Sequence, residues 1–395
     1  MNRENLIFVL YLLLGPATWC LFAFAMFAGR KRMMLVKRPR RELPVPPPRV
    51  TILIPAKDEG ERIRDCIESA LAQDYPNFRV IAVDDRSTDQ TGTIMDSLAA
   101  EHTGRLQVVH IPHDSLPAGW TGKCNALFTA VKQAQGDWLL FVDSDVILQP
   151  DALSSTLALA AAKNYHLVSL LPKLETHGFW ENLIIPLAGA GLSMMYLVAL
   201  TNANNHSTAF ANGQFILIRR DAYDSFGGHA AVKDKFCEDI EMARIVKGKG
   251  LRPRITWGTE LAAVRMYSSL PSIFRGWGRI FFAGSRGRPW RIIAGILFIL
   301  VCAFSCYAAL AWGIFRVLHP AELGNWPWLA ASGFHLALMS ILIGIMYAWS
   351  GNPRRTALLF PLGGVMLIGL FIQALKLCAT GNVIWRGTQY ARANP

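Results

Sequence analysis

"VTILIPAKDEGERIRDCIESALAQ", residues 50–73, changes its period half-way along. Val50 to Ile54 is a short, unbroken run of β-branched and aliphatic residues, which reads as a strand buried on both faces. Gly60 to Gln73 returns to helical spacing, and Lys57, Asp58 and Glu59 fall in the loop between. The alternation continues down the chain. Arg79 to Val83, Leu106 to His110 and Trp138 to Val142 read as strands, with Thr88 to Glu101 and Lys123 to Gln135 as the helices between them. Such an order predicts an α/β domain, a Rossmann-like and mostly parallel sheet covered by helices, with ligands at the carboxyl ends of its strands.

Acids gather at those ends. The first loop is "IPAKDEGE"; the second is "VDDRSTD", with Asp84 and Asp85 closing the strand and Ser87 or Thr88 placed to cap the next helix; the fourth is "FVDSDV", with Asp143 and Asp145 one residue apart. A buried carboxylate needs a cationic partner. An acid after a strand can bond a sugar hydroxyl or a base imide, and a carboxylate pair can hold Mg2+ or Mn2+ against a diphosphate. No GxGxxG or GxxxxGK[ST] run is present to cradle phosphate with backbone amides.

The setting is a membrane. The chain has 395 residues, 52% of them hydrophobic, with a formal charge of +12 and a mean hydropathy of +0.27. Leu6 to Ala28, Ile292 to Phe315, Trp328 to Trp349 and Ala357 to Leu375 are each long and apolar enough to span a bilayer. Leu6 to Ala28 reads as a signal anchor in preference to a cleaved signal peptide, because the positive charge follows it: Arg30, Lys31, Arg32, Lys37, Arg38, Arg40 and Arg41. The positive-inside rule puts those residues and the polar block in the cytoplasm of an inner-membrane protein. The charge meets anionic lipid, and nothing requires a nucleic-acid partner. Lys376, near the end of the last span, is the one obvious candidate for a charge inside the spans. Seven scattered cysteines without a CxxC pair argue against zinc and disulfides.

The expected domains are an anchor over 1–29, a basic and Pro-rich linker over 30–48 containing "ELPVPPPRV", a catalytic domain over 49–287, and a membrane region of about three spans with a short tail over 288–395. A fifth apolar stretch, "NLIIPLAGAGLSMMYLVAL" at 182–200, suits an interfacial, re-entrant or core helix. The side of the carboxyl terminus depends on whether "PLGGVMLIG" belongs to a full span or to a re-entrant hairpin.

"VTILIPAKDEGERIRDCIESALAQDYP", "IAVDDRSTDQT", "GDWLLFVDSDV", "FANGQFILIRRDAYDSFGGH" and "CEDIEMARIVKGKG" together resemble the inverting family 2 glycosyltransferases of the GT-A fold. The resemblance covers about Arg49 to Gly287. "LPAGWTGKCNAL" and the arrangement of spans look most like the hopene-associated glycosyltransferases of hopanoid biosynthesis; carotenoid and ceramide glycosyltransferases are similar in plan. The resemblance implies a hexosyltransferase that takes a nucleotide sugar, first among them a UDP-sugar, and glycosylates a lipid acceptor. It places Pro55, Lys57, Glu59, Asp84 and Asp85 in the nucleoside pocket, Lys123 and Ser144 in the donor site, and Asp143 and Asp145 on a divalent metal. Asp239 falls at the catalytic base, with Glu238 beside it. Many relatives carry QxxRW where this chain has Arg275-Gly276-Trp277-Gly278-Arg279. Arg275 and Arg279 are one helical turn apart and could face a pyrophosphate together with Trp277, or all three could anchor the interface.

Other readings keep the same residues. The acids could cap turns and helices, the acceptor could be soluble, or a membrane scaffold could retain a transferase domain without chemistry.

Overall fold

A computed structural model describes residues 3–30, 42–319, 326–385 and 388–391. Lys31, Arg32, Lys37, Arg38, Arg40 and Arg41 of the basic run lie outside them. The chain divides into two compact units.

One unit comprises residues 32–175, 193–266 and 381–395. Its large sheet contains β1 (Val50–Ala56), β2 (Phe78–Asp85), β3 (Leu106–Ile111), β4 (Trp138–Val142), β6 (Leu167–Leu171), β8 (Phe215–Arg219) and β9 (Pro253–Trp257), in the order β3-β2-β1-β4-β8-β6-β9. All neighbours pair in parallel except β8, which is antiparallel to both β4 and β6. β1 is buried along its whole length. Val50, Ile52 and Ile54 join the core on one face, while Leu53 joins Ile81, Val83 and Leu139 on the other. Covering both faces with helices explains the unbroken apolar run. A three-stranded sheet lies beside it, made of β5 (Val146–Leu148), β10 (Ala262–Val264) and β7 (Lys173–Leu174).

The four expected strands appear within about two residues of their sequence bounds. The helices after β1 and β2 begin later than expected, at Ile63 and Thr91. Ser87 and Thr88 do not cap the second of these, whose N-cap is Gln90 and makes no side-chain bond. Both hydroxyls instead meet Asp58 of the neighbouring loop: Asp58 N–H donates to Ser87 Oγ at 3.0 Å, and Thr88 Oγ1 donates to Asp58 Oδ1 at 3.2 Å.

The other unit comprises residues 1–31, 176–192 and 267–380. Four of its helices are long and apolar enough to cross a membrane: Arg3–Gly29, Pro289–Leu318, Pro327–Trp349 and Arg354–Thr380. A π-helical turn, Ile299–Phe304, interrupts the second, and its Cys302 carbonyl accepts from Trp19 Nε1 at 2.5 Å and pairs with His335 Nε2 at 3.1 Å. Tyr11 Oη meets His335 Nδ1 at 3.1 Å. Gly15 makes room, since a Cβ there would stand 2.8 Å from the imidazole. Arg316 also lies within a membrane helix, buried and paired with Glu4, so Lys376 is not the only charge there. The short reading of that span, ending at Phe315, had left Arg316 out.

The apolar stretch at 182–200 is not one element. A helix runs from Phe179 to Met195 with Pro186 inside it. Leu197 then breaks the path with φ 47°, and a short turn of helix follows. Proline disturbs the helical ladder around it, and here Tyr347 Oη donates to the Leu183 carbonyl at 2.7 Å. Leu187 packs with Ala303, Met339 and Phe360. Thr176–Leu192 and Tyr267–Gly287 therefore cluster with the spans, whereas the expected catalytic domain ran on to residue 287.

Candidate active site

Asp143, Ser144 and Asp145 link β4 of the large sheet to β5 of the small one. Asp143 N–H reaches the Gln214 carbonyl at 3.4 Å, and its own carbonyl accepts from Val146 at 3.2 Å, so the turn is pinned at both ends. Ser144 is buried and donates to Glu59 Oε1 at 3.3 Å. Enclosure by the protein, then the charges of Asp143 and Glu59, push the Asp145 carboxyl up to about 7, against the pull of Arg62.

Thr121 caps the helix Gly122–Gln133 by accepting from Cys124 N–H at 3.2 Å, which fixes Lys123 in the first turn. Its ammonium bridges two acids, 2.7 Å from Asp143 Oδ1 and 2.8 Å from Glu238 Oε1. Lys123, which the resemblance places in the donor site, is thus paired with two acids. Burial works against the ammonium, yet Asp143, Glu238 and Asp239 hold its pKa well above the usual lysine value.

Glu238 and Asp239 open the helix Glu238–Gly248. Asp239 Oδ2 accepts from Gly213 N–H at 2.7 Å and Oδ1 from Ile240 N–H at 2.8 Å. Burial and the neighbouring Glu238 raise its carboxyl to about 7, with Lys123 pulling the other way. Lys123, Asp143 and Asp239 line one small pocket with Pro55, Gly213 and His229. Neither Gly213 nor His229 stands out from sequence pattern alone. His229 is fully enclosed, and burial followed by the Lys123 charge lowers it to about 3. Its backbone N–H donates to Tyr223 Oη at 2.9 Å and its Nδ1 meets the same hydroxyl at 2.8 Å.

Asp84 and Asp85 are buried, not solvated turn residues. Asp84 Oδ2 meets His110 Nδ1 at 3.0 Å, and His110 Nε2 meets Asp96 Oδ1 at 2.9 Å. Asp85 takes a two-pronged bond from Arg86, at 2.8 and 3.1 Å. Arg86 has φ 60°, a conformation rare for a residue with a side chain. A Cβ on Gly122 would collide with Asp85 Oδ2, so the glycine of "GWTGK" lets the helix end approach that pair. Lys57 and Glu59 follow β1 in a loop laced to the one after β2: Glu59 N–H donates to Thr91 Oγ1 at 2.8 Å and Gly60 N–H to Asp89 Oδ2 at 2.9 Å.

Arg275, Trp277 and Arg279 belong to the other unit, on the helix Leu270–Gly284. Trp277 is buried and packs on Phe281, which meets Phe371 at 4.6 Å between ring centres. The two glycines of this run are contact points: a Cβ on Gly276 would overlap the Tyr267 ring, and one on Gly278 would stand 2.6 Å from Gln373 Cγ. Arg275 is exposed and Arg279 half-buried.

A fold that ends parallel strands in acids, with a pinned DxD turn facing a lysine and an ED pair, is that of a GT-A glycosyltransferase. Residues 51–227 match the model of the family described as glycosyl transferase family 2. The mannosyltransferase PcManGT from Pyrobaculum calidifontis is similar in fold, with a TM-score of 0.52 at 18% identity, covering 93% of this chain and 98% of that one. Among curated proteins, the 4,4'-diaponeurosporenoate glycosyltransferase of Staphylococcus aureus strain MRSA252 is 25% identical over 355 residues, covering 87% of this chain and 88% of the relative. That of strain USA300 is 27% identical over 353 residues. The chain carries a family 2 glycosyltransferase domain of the GT-A fold, joined to apolar helices that fit a membrane anchor. It is an enzyme, a glycosyltransferase of the hexosyltransferase type, and the reading as a non-catalytic scaffold falls.

Proposed function

We propose that the enzyme transfers a hexose from a nucleotide sugar to a lipid acceptor, with inversion, on the cytoplasmic side of the inner membrane. The observation that carries this reading is the chain of ion pairs Asp143, Lys123 and Glu238, with Asp239 beside it. It joins a carboxylate pair suited to a metal–diphosphate to a carboxylate suited to accept a proton.

Asp143 and Asp145 fit a divalent ion, Mg2+ or Mn2+. They offer hard oxygen ligands, and Asp145, enclosed by the protein and then set beside the charges of Asp143 and Glu59, is a carboxylate whose ionised form a cation would stabilise. Among the described residues no group of three or more His, Cys, Asp and Glu could hold a metal, so diphosphate and water would complete the coordination. PcManGT was solved with GDP-Man and Mn2+, in agreement with this. When bound, the ion offsets the charge that develops on the departing diphosphate.

The chain's own residues do the rest. Asp239, fixed by the Gly213 amide, accepts the proton of an acceptor hydroxyl, and one displacement inverts the anomeric carbon. Asp85, backed by Arg86, faces the nucleobase imide, while Pro55, Lys57, Glu59 and Asp84 shape that pocket and Ser144 steadies its floor. The acceptor is a lipid because four apolar helices accompany the transferase domain. The curated relatives are named for a carotenoid acid, so a carotenoid-type acceptor stands ahead of a hopanoid one.

The test is transfer of labelled sugar from UDP-glucose, UDP-N-acetylglucosamine and GDP-mannose to lipid extracts by the full-length protein in detergent, with mass spectrometry of the product. Sugar appearing only on water-soluble acceptors would overturn the lipid assignment.

A further inference from the structure

Lys123 is caught between the two halves of the site. Its ammonium contacts Asp143 Oδ1 at 2.7 Å and Glu238 Oε1 at 2.8 Å, and Gly213 confines it, since a Cβ there would stand 3.0 Å from Nζ. A divalent ion on Asp143 and Asp145 would share Asp143 with this ammonium, and two cations a few ångströms apart in a partly buried cleft repel each other. A diphosphate reverses the balance. Its oxygens offer Lys123 a further anionic partner, and they supply the ion with ligands that two carboxylates lack.

We propose that Lys123 is the resident counter-ion of Asp143 and makes metal entry at Asp143 and Asp145 conditional on the nucleotide diphosphate. The inference rests on the reading that Asp143 and Asp145 hold the ion. It assigns Lys123 a positioning role, and it orders the assembly of the site: metal and donor bind together, and metal alone binds poorly. Because coupling between two ligands is reciprocal, the nucleotide gains from metal the same factor that metal gains from the nucleotide.

Mn2+ binding to the full-length protein in detergent, read by electron paramagnetic resonance of the free ion with and without UDP or GDP, tests this without turnover. In the wild type, Mn2+ should bind at least about tenfold more tightly once the preferred nucleotide is present. Lys123→Met should tighten binding of Mn2+ alone by about tenfold or more and shrink the nucleotide's effect. Lys123→Arg, which keeps the charge, should stay close to wild type. Lys123→Gln supplies the same neutral comparison should the methionine variant not fold. Neutral variants that bind Mn2+ alone no more tightly than wild type would overturn the inference, provided that Asp145→Ala has lost nucleotide-dependent Mn2+ binding. Should Asp145→Ala bind Mn2+ normally with nucleotide, the metal reading and this inference fall together.

Discussion

The Gly213 amide donates to Asp239 Oδ2 at 2.7 Å, across 26 residues of sequence. The same glycine has no room for a side chain: a Cβ would stand 3.0 Å from Lys123 Nζ and 3.2 Å from Asp239 Oδ2. Gly213→Ala should therefore displace both groups while leaving the sheet intact. A kcat loss of roughly 10- to 100-fold is expected for a shift of this kind, with an unchanged thermal midpoint. Wild-type kcat would mean that the contact does not position the base.

Asp239→Asn separates two kinds of acceptor. If the acceptor is a hydroxyl, the amide cannot take its proton, and kcat should fall about 10²- to 10⁴-fold. If the acceptor is a carboxylic acid, as the name of the curated relatives indicates for theirs, its oxygen is already ionised near neutral pH, and the same substitution should cost little. Measuring the variant on an alcohol and on an acid of one lipid skeleton decides between them.

The pH profile follows from the raised Asp239 carboxyl. Only the ionised form accepts a proton, so kcat/KM for a hydroxyl acceptor should rise by about tenfold per pH unit on the acid side and level off near 7. In stability the sign is opposite. A carboxyl that holds its proton more tightly when folded adds stability that is fully present below about pH 4 and is lost as the pH rises through about 7. Asp239→Asn should remove the acid limb of the rate profile, and an unaltered limb would assign it to another group.

His110 shifts stability in the same direction. Its bonds to Asp84 and then Asp96 raise its pKa, so it contributes stability that is complete below about 6.5 and disappears as the pH climbs through its folded value. The ring is half exposed, which limits each pair to about 0.2–1 kcal/mol. His110→Gln should lower the thermal midpoint slightly at pH 6 and not at pH 9. A difference that persists at pH 9 would make packing, not charge, the cause.

His335→Phe tests the membrane unit. It would leave Tyr11 Oη without its partner and the Cys302 carbonyl with one donor fewer; a buried polar group left unpaired costs about 1–3 kcal/mol. The expected readout is a lower midpoint of detergent-induced unfolding.

The strands and the acids at their ends were legible because both depend on local pattern: Val50–Ala56 shows its burial in its composition, and the DxD pair follows the fourth strand directly. Ser87 and Thr88 looked like caps because the sequence cannot show that Asp58, 30 residues before Thr88, folds over to meet them. Arg62, Arg86, Gly213 and His229 escaped notice for the same reason, since each takes its meaning from a neighbour in space. A glycine amid "FANGQF", just before a buried strand, was the one signal available for Gly213. The glycines around Trp277 were likewise present in the sequence, but only Tyr267 and Gln373 explain them.

The Cys302 carbonyl, shared by Trp19 and His335, bears on the order in which the protein is made. Tyr11 and His335 lie 324 positions apart, so Tyr11 cannot find its hydrogen-bonding partner until the third of the long apolar helices has been translated. At about 5–20 residues per second that delay is roughly 15 to 65 s. Throughout it Tyr11 waits for that partner, and Trp19 waits almost as long for the Cys302 carbonyl, while the transferase domain is synthesised and free to fold.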